Sequence, residues 1–202
     1  MNRRIVLAMP VLLALAAAAV VAGGPLAIGS PMPSADVKMQ NVDGTEKTLK
    51  EIVKPAGTLV VFTCNHCPYA KAWETRIVEL GNTYSAKGIG VVAVNANDPK
   101  VAAGDSFEGM QERAKERGMQ FPYVVDATSN VARAFGATRT PEAFLFDKDG
   151  KLVYHGTIDD NGEDASKVDK RYLKDALEAV ASGKDVAVKE TKSIGCGIKF
   201  RS

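Results

Sequence analysis

The sequence predicts one α/β domain with a central mixed β-sheet and helices on both faces. Short apolar runs typical of buried strands alternate along the chain with longer segments of helical periodicity, and this order is typical of parallel strands joined by helices. A turn at Asp149-Gly150 between two strand-like runs predicts a β-hairpin, which adds an antiparallel pair. Parallel and antiparallel pairs in one sheet make it mixed, and a length of 202 residues suits a single domain.

The predicted elements begin at residue 37. Strands are predicted from short apolar or alternating runs, at 37–42, 58–63, 89–95, 123–125, 143–146 and 151–155. Helices are predicted from apolar residues at helical spacing and from end signals, at 69 to near 88, 106–117, 131–135 and 171–181. In the first helix, Tyr69, Trp73 and Tyr84 are predicted to face the core. The acidic run 159–164 is predicted to be a solvated loop.

Composition and charge narrow the range of partners. Apolar residues make up 46% of the chain and charged residues 25%, which is typical of a globular protein and not of a disordered or multi-spanning membrane protein. Lys and Arg number 26 and Asp and Glu 24, so the net charge is +2, and removing Arg3 and Arg4 leaves 24 of each sign. Because no basic surplus remains, we expect no nucleic-acid partner.

The N-terminus is predicted to be an export signal. Arg3 and Arg4 precede the apolar run 5–22, and small residues lie before a cut after Ala22. The run is also just long enough to span a bilayer, so residues 1–22 are either a cleaved signal peptide or an uncleaved N-terminal anchor. Either way we expect the domain outside the cytosol, in the periplasm or another extracytoplasmic compartment, and in contact with the membrane only through such an anchor.

Three further segments follow the export signal. Residues 23–36 contain a Pro- and Ser-rich stretch and are predicted to be a linker. Residues 37–184 hold all the predicted strands and helices and form the domain. Residues 185–202 are a cysteine-containing tail without periodicity, whose backbone is predicted to be mobile.

The segment TCNHCP, residues 63–68, carries the strongest chemical signal. Two cysteines three apart at a helix start lie within about 5.5 Å, which permits a disulfide. Pro68 lacks an N–H and belongs in the first helical turn, so Cys64 is predicted at or just ahead of the helix N-terminus, where free amides and the helix dipole favour a thiolate. We therefore predict Cys64 as the nucleophile and Cys67, one turn inward, as the resolving thiol.

The neighbours of the cysteines favour redox activity. An imidazolium at His66 would stabilise the reduced thiolate and make the site more oxidising. A purely structural disulfide is the alternative, but so short a loop constrains little of the unfolded chain.

Thr140-Pro141 lies directly before the predicted strand 143–146. The order of a strand, a C-x-x-C segment, a helix and then Thr-Pro before a later strand resembles the thioredoxin fold. The resemblance implies that Pro141 is cis and faces the cysteines, and that Thr140 contacts a bound substrate chain.

A narrower resemblance covers roughly residues 31–200. It is carried by the stretches VVFTCNHCPYAKAWE, GVVAVNANDP, DSFEGMQERAKERG, FPYVVD, TPEAFLFDKDGKLVYHGTIDDN and SIGCGIKF. These resemble the peroxiredoxin-like redoxins of the alkyl hydroperoxide reductase and thiol-specific antioxidant (AhpC/TSA) type, a branch of the thioredoxin-fold proteins. The resemblance implies a thioredoxin-like fold and thiol redox chemistry, and we expect no cofactor.

The chain departs from the family patterns in two ways. Peroxiredoxins carry P-x-x-x-T/S-x-x-C, and with Cys67 set on the peroxidatic cysteine, Cys64 takes the Thr/Ser position and Val60 the Pro position. A thiol-dependent peroxidase therefore stays as the alternative function. Arg139 stands where the branch often has a cysteine, and it either favours a thiolate by facing the site or is solvated.

Cys196 is the odd cysteine of the chain and lies between two glycines in the tail. Three roles remain open for it: folding back to resolve a mixed disulfide, pairing with another chain, or remaining a spare thiol.

Metal delivery is a second alternative. The chain contains soft ligands for copper(I) or zinc at Cys64, His66, Cys67, His155 and Cys196. Exported copper chaperones of this fold space their cysteines C-x-x-x-C, whereas this chain has C-x-x-C, and His155 is predicted to be a half-buried or surface strand residue. We therefore predict no metal site.

The sequence as a whole predicts an exported thiol-disulfide oxidoreductase. Its expected substrates are proteins or small molecules that carry a disulfide or thiols, and a separate redox partner would recharge the site.

Overall fold

The computed structural model describes residues 24–202. Its strands are β1 (Met39–Asn41), β2 (Glu46–Lys47), β3 (Gly57–Phe62), β4 (Ile89–Asn95), β5 (Tyr123–Val125), β6 (Arg139–Thr140), β7 (Glu142–Phe146), β8 (Leu152–Gly156) and β9 (Cys196–Gly197). Its α-helices are α1 (Leu49–Ile52), α2 (Pro68–Ala86), α3 (Phe107–Arg117), α4 (Asn130–Phe135) and α5 (Tyr172–Ala181). Short 3-10 helices occur at Ala103–Asp105 and Ala165–Lys167.

Seven of the strands form one sheet in the order β2-β1-β5-β4-β3-β7-β8. β3, β4 and β5 are parallel neighbours, whereas β7 runs antiparallel to both β3 and β8. In the register, Val60 of β3 lies opposite Val92 of β4 and Phe144 of β7. The predicted mixed sheet is therefore confirmed, and so is the hairpin of β7 and β8. β6 and β9 form a separate two-stranded sheet.

The two faces of the sheet bury two separate cores. Because side chains alternate along a strand, Leu59 and Val61 of β3 face the side covered by α2, α3 and α5, while Val60 and Phe62 face the side covered by α1 and α4. On the second side, Phe62, Phe135 and Phe144 pack edge to face with ring centroids 5.2–5.7 Å apart. Burial of each such side chain stabilises the fold by about 1.5–3 kcal/mol. Both faces of the sheet therefore need a covering layer of helices, as predicted.

Helix α2 carries one face of the core and the start of the site. Pro68 is its first residue, and Trp73, Ile77 and Tyr84 are buried at helical spacing. The prediction that Tyr69 faces the core is wrong: its side chain is 47% exposed and lines a surface cleft at the start of α2.

The segment predicted as a linker belongs to the packed domain. The Leu26 N–H donates to the Phe135 carbonyl oxygen at 3.0 Å, and the Gly29 N–H donates to that of Leu152 at 2.8 Å. Leu26, Ile28 and Met32 pack against the second core, so burial of these apolar side chains holds the segment down. The tail after residue 185 is also hydrogen-bonded to the domain, which corrects the prediction of a mobile backbone.

The predicted signal or anchor, residues 1–22, lies outside the described residues. From residue 24 onwards, no helix is both long and apolar enough to cross a membrane.

The acidic run after β8 is only partly solvated, which corrects the predicted solvated loop. Asp160 and Glu163 are exposed, but Asp159 is 4% exposed and accepts a hydrogen bond of 2.6 Å from the Trp73 indole. Arg76, whose side chain is largely buried, forms an ion pair with the same carboxylate. The buried indole N–H and guanidinium need an acceptor, and Asp159 supplies it.

We expect Asp159→Ala to lower the free energy of unfolding by about 3 kcal/mol, because it leaves a largely buried guanidinium unpaired. The matched control is Asp36→Ala, which removes an exposed ion pair with Lys50 and should cost about 1 kcal/mol or less. Urea unfolding of both variants measures the difference. Equal losses of stability would contradict a structural role for the buried pair.

Candidate active site

Two cysteines lie in the connection from β3 to α2. β3 ends at Phe62 and α2 begins at Pro68, so Cys64 lies in the loop and Cys67 is the N-cap residue. Both thiols are buried, at 4% and 3% exposure. As the N-cap residue, Cys67 lies at the N-terminal end of α2, where backbone N–H groups lack partners within the helix.

Asp105 holds this loop in place. Its carboxylate is 2% exposed and accepts hydrogen bonds from the backbone N–H groups of Asn65 at 2.6 Å and His66 at 3.2 Å. The Tyr123 hydroxyl donates to the Asn65 side-chain oxygen at 3.0 Å, which fixes the loop from a second side. Sequence reasoning missed Asp105, because nothing in its local pattern reveals a partner so far along the chain.

Thr140 contacts both cysteines from outside the cysteine loop. The Thr140-Pro141 bond is cis, which confirms the expectation from the fold resemblance. The Thr140 Oγ1 lies 3.3 Å from the Cys64 Sγ, and the thiol of Cys67 donates to the Thr140 carbonyl oxygen at 3.2 Å. The predicted cysteines and the predicted Thr-Pro pair therefore meet in space.

Glu142, which sequence reasoning also missed, holds the Thr-Pro segment. Its Oε2 accepts from the backbone N–H groups of Thr138 at 2.8 Å and Arg139 at 2.9 Å, and its Oε1 lies 2.7 Å from the His155 Nε2. Burial alone would raise the pKa of Glu142, but these hydrogen bonds outweigh it and leave the pKa lowered. A negative Glu142 thus fixes the bend that presents Thr140.

The two active-site thiols have pKa values that move apart. A hydrogen bond from the Cys64 thiol lowers the pKa of Cys67 to about 4 against the opposing effect of burial, and the Cys196 thiol and the Ala70 amide lower it further. The pKa of Cys64 is raised by its hydrogen bond to Cys67, by burial and by the charge of Asp105. The hydrogen bonds to Cys67 together outweigh the effect of burial on its pKa.

The predicted placement of the two thiols relative to the helix is wrong, whereas their predicted roles as nucleophile and resolving thiol stay a prediction. We expected Cys64 at the helix start and Cys67 one turn inside the helix. Because Pro68 is the first helical residue, Cys67 caps the helix and Cys64 lies three residues ahead of it. The backbone amides thus favour a thiolate at Cys67.

The remaining predicted site residues lie around this centre. His66 is exposed, and its ring lies against Gly104, so its predicted tuning of the thiols stays a prediction. Arg139 is exposed and donates to the Gly195 carbonyl oxygen at 3.3 Å, and it therefore faces the tail. Cys196, half-buried, packs against the cluster of Cys64, Cys67 and Ala70.

A cleft of about 580 Å³ adjoins the start of α2. It is lined by Pro68, Tyr69 and Ala72 of the helix, Ile194 of the tail and the loop 160–163. Tyr69 and Ile194 are 47% and 42% exposed, so the cleft offers apolar surface next to the buried thiols.

Comparison with known proteins identifies the family. The model of the AhpC/TSA family matches residues 28–155, which is more than half of the chain. The chain belongs to the AhpC/TSA family. Thiol-disulfide oxidoreductase ResA of Geobacillus thermodenitrificans is 28% identical over 135 residues, which cover 66% of this chain and 72% of that one. ResA of Halalkalibacterium halodurans is 26% identical over 115 residues, with 57% and 61% covered. The protein is thus an oxidoreductase.

Solved structures are similar to this AhpC/TSA protein over most of its length. A hypothetical protein of Sinorhizobium meliloti is 33% identical with a TM-score of 0.81, and 89% of this chain and 97% of that one are covered. An uncharacterized conserved protein of Geobacillus kaustophilus is 38% identical with a TM-score of 0.81, with 87% and 93% covered. A thioredoxin-like protein in its oxidised form, 20% identical with a TM-score of 0.60, shows the fold alone, and it confirms the thioredoxin-like class.

The candidate metal ligands are not arranged as a metal site in the part of the chain that the structure describes. Within residues 24–202, no group of three or more His, Cys, Asp or Glu side chains is placed to hold a metal ion. His155 is 7% exposed and hydrogen-bonded to Glu142, so it is more deeply buried than predicted.

We expect alkylation of the reduced AhpC/TSA protein to reach Cys67 first. Its rate should be flat around neutral pH and fall only as the pH drops through about 4, because the thiolate is the reacting species. Cys196 is the internal control: its pKa is raised by burial and by Cys67, so its alkylation should need alkaline pH. Iodoacetamide labelling followed by peptide mass spectrometry separates the three sites. Faster labelling of Cys64 than of Cys67 would restore the order expected from sequence.

Proposed function

We propose that this protein exchanges disulfides with protein or small-molecule thiols and disulfides through Cys64 and Cys67. The observation that carries the proposal is the contact of both sulfurs with Thr140, directly before the cis Pro141. A substrate strand lying along Thr140 would bring its own sulfur to the same point. The ResA relatives, named thiol-disulfide oxidoreductases, support the same chemistry.

The first step uses the thiolate of Cys67. Its sulfur attacks one sulfur of a substrate disulfide, a bond forms between them, and the other substrate sulfur leaves as a thiolate that takes up a proton. Substrate and enzyme are then joined in a mixed disulfide. The cleft beside Tyr69 and Ile194 would hold apolar side chains of a protein substrate at this stage.

The second step uses Cys64. Once Cys67 is bonded to the substrate, it no longer carries the charge that keeps the proton on Cys64, so the largest cause of the raised pKa of Cys64 is removed. The Cys64 thiolate then attacks the Cys67 sulfur, a Cys64–Cys67 disulfide forms, and the substrate leaves as a thiol. Two electrons pass from enzyme to substrate, and the reverse sequence oxidises dithiols. A redox partner must recharge the enzyme after either direction.

A thiol-dependent peroxidase is the second candidate, because a low-pKa cysteine at a helix N-cap suits attack on peroxide. That reaction also needs donors aimed at the peroxide oxygens as charge develops. Cys64 offers only a weak S–H donor, and that donor is already directed at Cys67. Disulfide exchange is therefore the better supported function.

Export is part of the proposal, supported by Arg3, Arg4 and the apolar run 5–22. We expect the protein in the extracytoplasmic fraction of its native cells, either beginning just after Ala22 or held whole in the membrane. Cell fractionation with N-terminal sequencing tests this. Full-length protein recovered only from the cytosol would contradict export.

We expect the reduced protein to reduce insulin, Cys67→Ser to stop the turnover and Cys64→Ser to slow it. Cys67→Ser loses the first bond-forming step. Cys64→Ser retains that step but lacks the Cys64 thiol that releases the substrate from the mixed disulfide. Insulin precipitation with dithiothreitol as the reductant measures turnover. Ser166→Ala, an exposed substitution far from the cysteines along the chain, is the control and should leave the rate unchanged. Unchanged turnover in both cysteine variants would contradict disulfide exchange.

The same preparations separate exchange from peroxide reduction. We expect hydrogen peroxide to react with the reduced protein no faster than it reacts with an ordinary thiol. Stopped-flow mixing measures this rate. Fast peroxide consumption that survives Cys64→Ser and disappears in Cys67→Ser would establish the peroxidase function instead.

A further inference from the structure

The tail segment, defined as residues 193–199, lies across the candidate active site. β9 within it pairs antiparallel with β6, and the register sets Gly197 opposite Arg139 and Cys196 opposite Thr140. Thr140 is the residue whose side chain and carbonyl contact the two active-site sulfurs. The chain therefore places its own strand, with a cysteine in it, at the edge that the proposed function assigns to substrate.

A strand edge accepts one partner at a time. Peptides that bind by adding a strand use the free main-chain groups of an exposed edge, and β9 already pairs with the edge of β6. The Ile198 N–H extends this pairing by donating to the Thr138 carbonyl oxygen at 3.0 Å. A substrate strand must displace the tail segment before it can pair with Thr140.

Gly195 allows the tail segment to approach this closely. A Cβ atom at residue 195 would lie 2.2 Å from the Thr140 carbonyl oxygen and 2.7 Å from its carbon, both in rigid backbone. At Gly197 a Cβ atom would find its nearest neighbour, the Thr138 carbonyl oxygen, at 4.0 Å. Only the first of the two glycines is required by contact with the site.

Both ends of the tail segment connect to the buried carboxylates that shape the site. The Ser193 hydroxyl donates to Glu142 at 3.0 Å. At the other end, the Lys199 N–H donates to the Asn97 side-chain oxygen at 2.8 Å, and the Asn97 amide donates to Asp105 at 2.7 Å. The segment is thus bound through the same groups that hold the Thr-Pro bend and the cysteine loop.

Cys196 lies next to Cys67 in this arrangement. It packs against Cys64, Cys67 and Ala70, and its thiol is one of the donors that stabilise the Cys67 thiolate. Cys67 therefore has a potential disulfide partner on either side, Cys64 from the loop and Cys196 from the tail.

We propose that the tail segment is a tethered occupant of the substrate groove and that Cys196 is a third redox-active cysteine, which exchanges disulfides with Cys67. This rests on the proposed function, since it requires Cys67 to exchange disulfides. The substrate class follows from the same geometry: an extended, cysteine-containing strand with a small residue just before the cysteine, as Gly195 precedes Cys196.

The exchange needs no outside oxidant or reductant. In the oxidised enzyme, the Cys196 thiol loses its proton and its sulfur attacks the Cys67 sulfur of the Cys64–Cys67 disulfide. A Cys67–Cys196 bond forms, the Cys64–Cys67 bond breaks, and Cys64 leaves with the electron pair and takes up a proton. One disulfide and one thiol are present before and after. The new disulfide holds the tail in the groove and closes the site to substrate until it is reversed or reduced.

The test of the third cysteine uses full-length Cys64→Ser treated with glutathione disulfide. The Cys67 thiolate first attacks glutathione disulfide, which leaves a Cys67–glutathione disulfide and releases one reduced glutathione. Cys196 should then attack the Cys67 sulfur, giving a Cys67–Cys196 disulfide and releasing the second reduced glutathione. Non-reducing peptide mass spectrometry detects the linked peptides. A stable glutathione adduct on Cys67, with Cys196 still free, would overturn the proposal.

The double variant Cys64→Ser/Cys196→Ser keeps the failure of this proposal separate from that of the proposed function. It should accumulate the glutathione adduct on Cys67, because no resolving thiol remains. Absence of the adduct here would show that Cys67 does not exchange, and the proposed function itself would fail.

The test of groove occupation compares Gly195→Ala with Gly197→Ala. The first should push the tail segment off Thr140 and raise the initial rate of insulin reduction about fivefold or more, while the second should leave it near that of the unaltered protein. In the Cys64→Ser background, Gly195→Ala should also reduce the yield of the Cys67–Cys196 disulfide. Equal rates and yields for the two variants would overturn the proposal. If Gly195→Ala fails to fold, as judged by circular dichroism, the Cys64→Ser trap decides alone.

Discussion

The position of Pro68 is the constraint on which the site depends. A proline cannot occupy a helix interior without losing a hydrogen bond and clashing with the preceding turn, so α2 begins at this residue. Cys67 consequently becomes the N-cap, where backbone amides favour its thiolate, and Cys64 is left in the loop as the donor to it. One residue thus gives two chemically similar thiols different surroundings.

Two buried carboxylates turn this local arrangement into a defined site. Asp105 fixes the cysteine loop by accepting its backbone N–H groups, and Glu142 fixes the bend before Thr140 in the same way. Each accepts hydrogen bonds that replace those lost from water, which offsets the cost of burying its charge. Both also connect to the tail, through Asn97 and Ser193, so the two walls of the site and the strand across it form one hydrogen-bonded network.

The tail lies outside the part of the chain that defines the family. The AhpC/TSA match ends at residue 155, whereas the strand that covers the cysteines is formed by Cys196 and Gly197. The solved structures from Sinorhizobium meliloti and Geobacillus kaustophilus are similar over 89% and 87% of this chain. The family chemistry and the tail that covers it are therefore carried by separate segments of the sequence.

The sequence by itself determined the mixed sheet, most helix positions and the pairing of the C-x-x-C segment with Thr140-Pro141, because these follow from periodicity, from turn residues or from a motif order that resembles a known fold. The tertiary structure decided what depends on partners distant along the chain. It placed the lowered pKa on Cys67, buried Asp105 and Glu142 as anchors, and paired Cys196 with Thr140. Asp105, Glu142 and the pairing of Cys196 have no local signal, since a buried carboxylate or an isolated cysteine is defined by the groups that surround it in space.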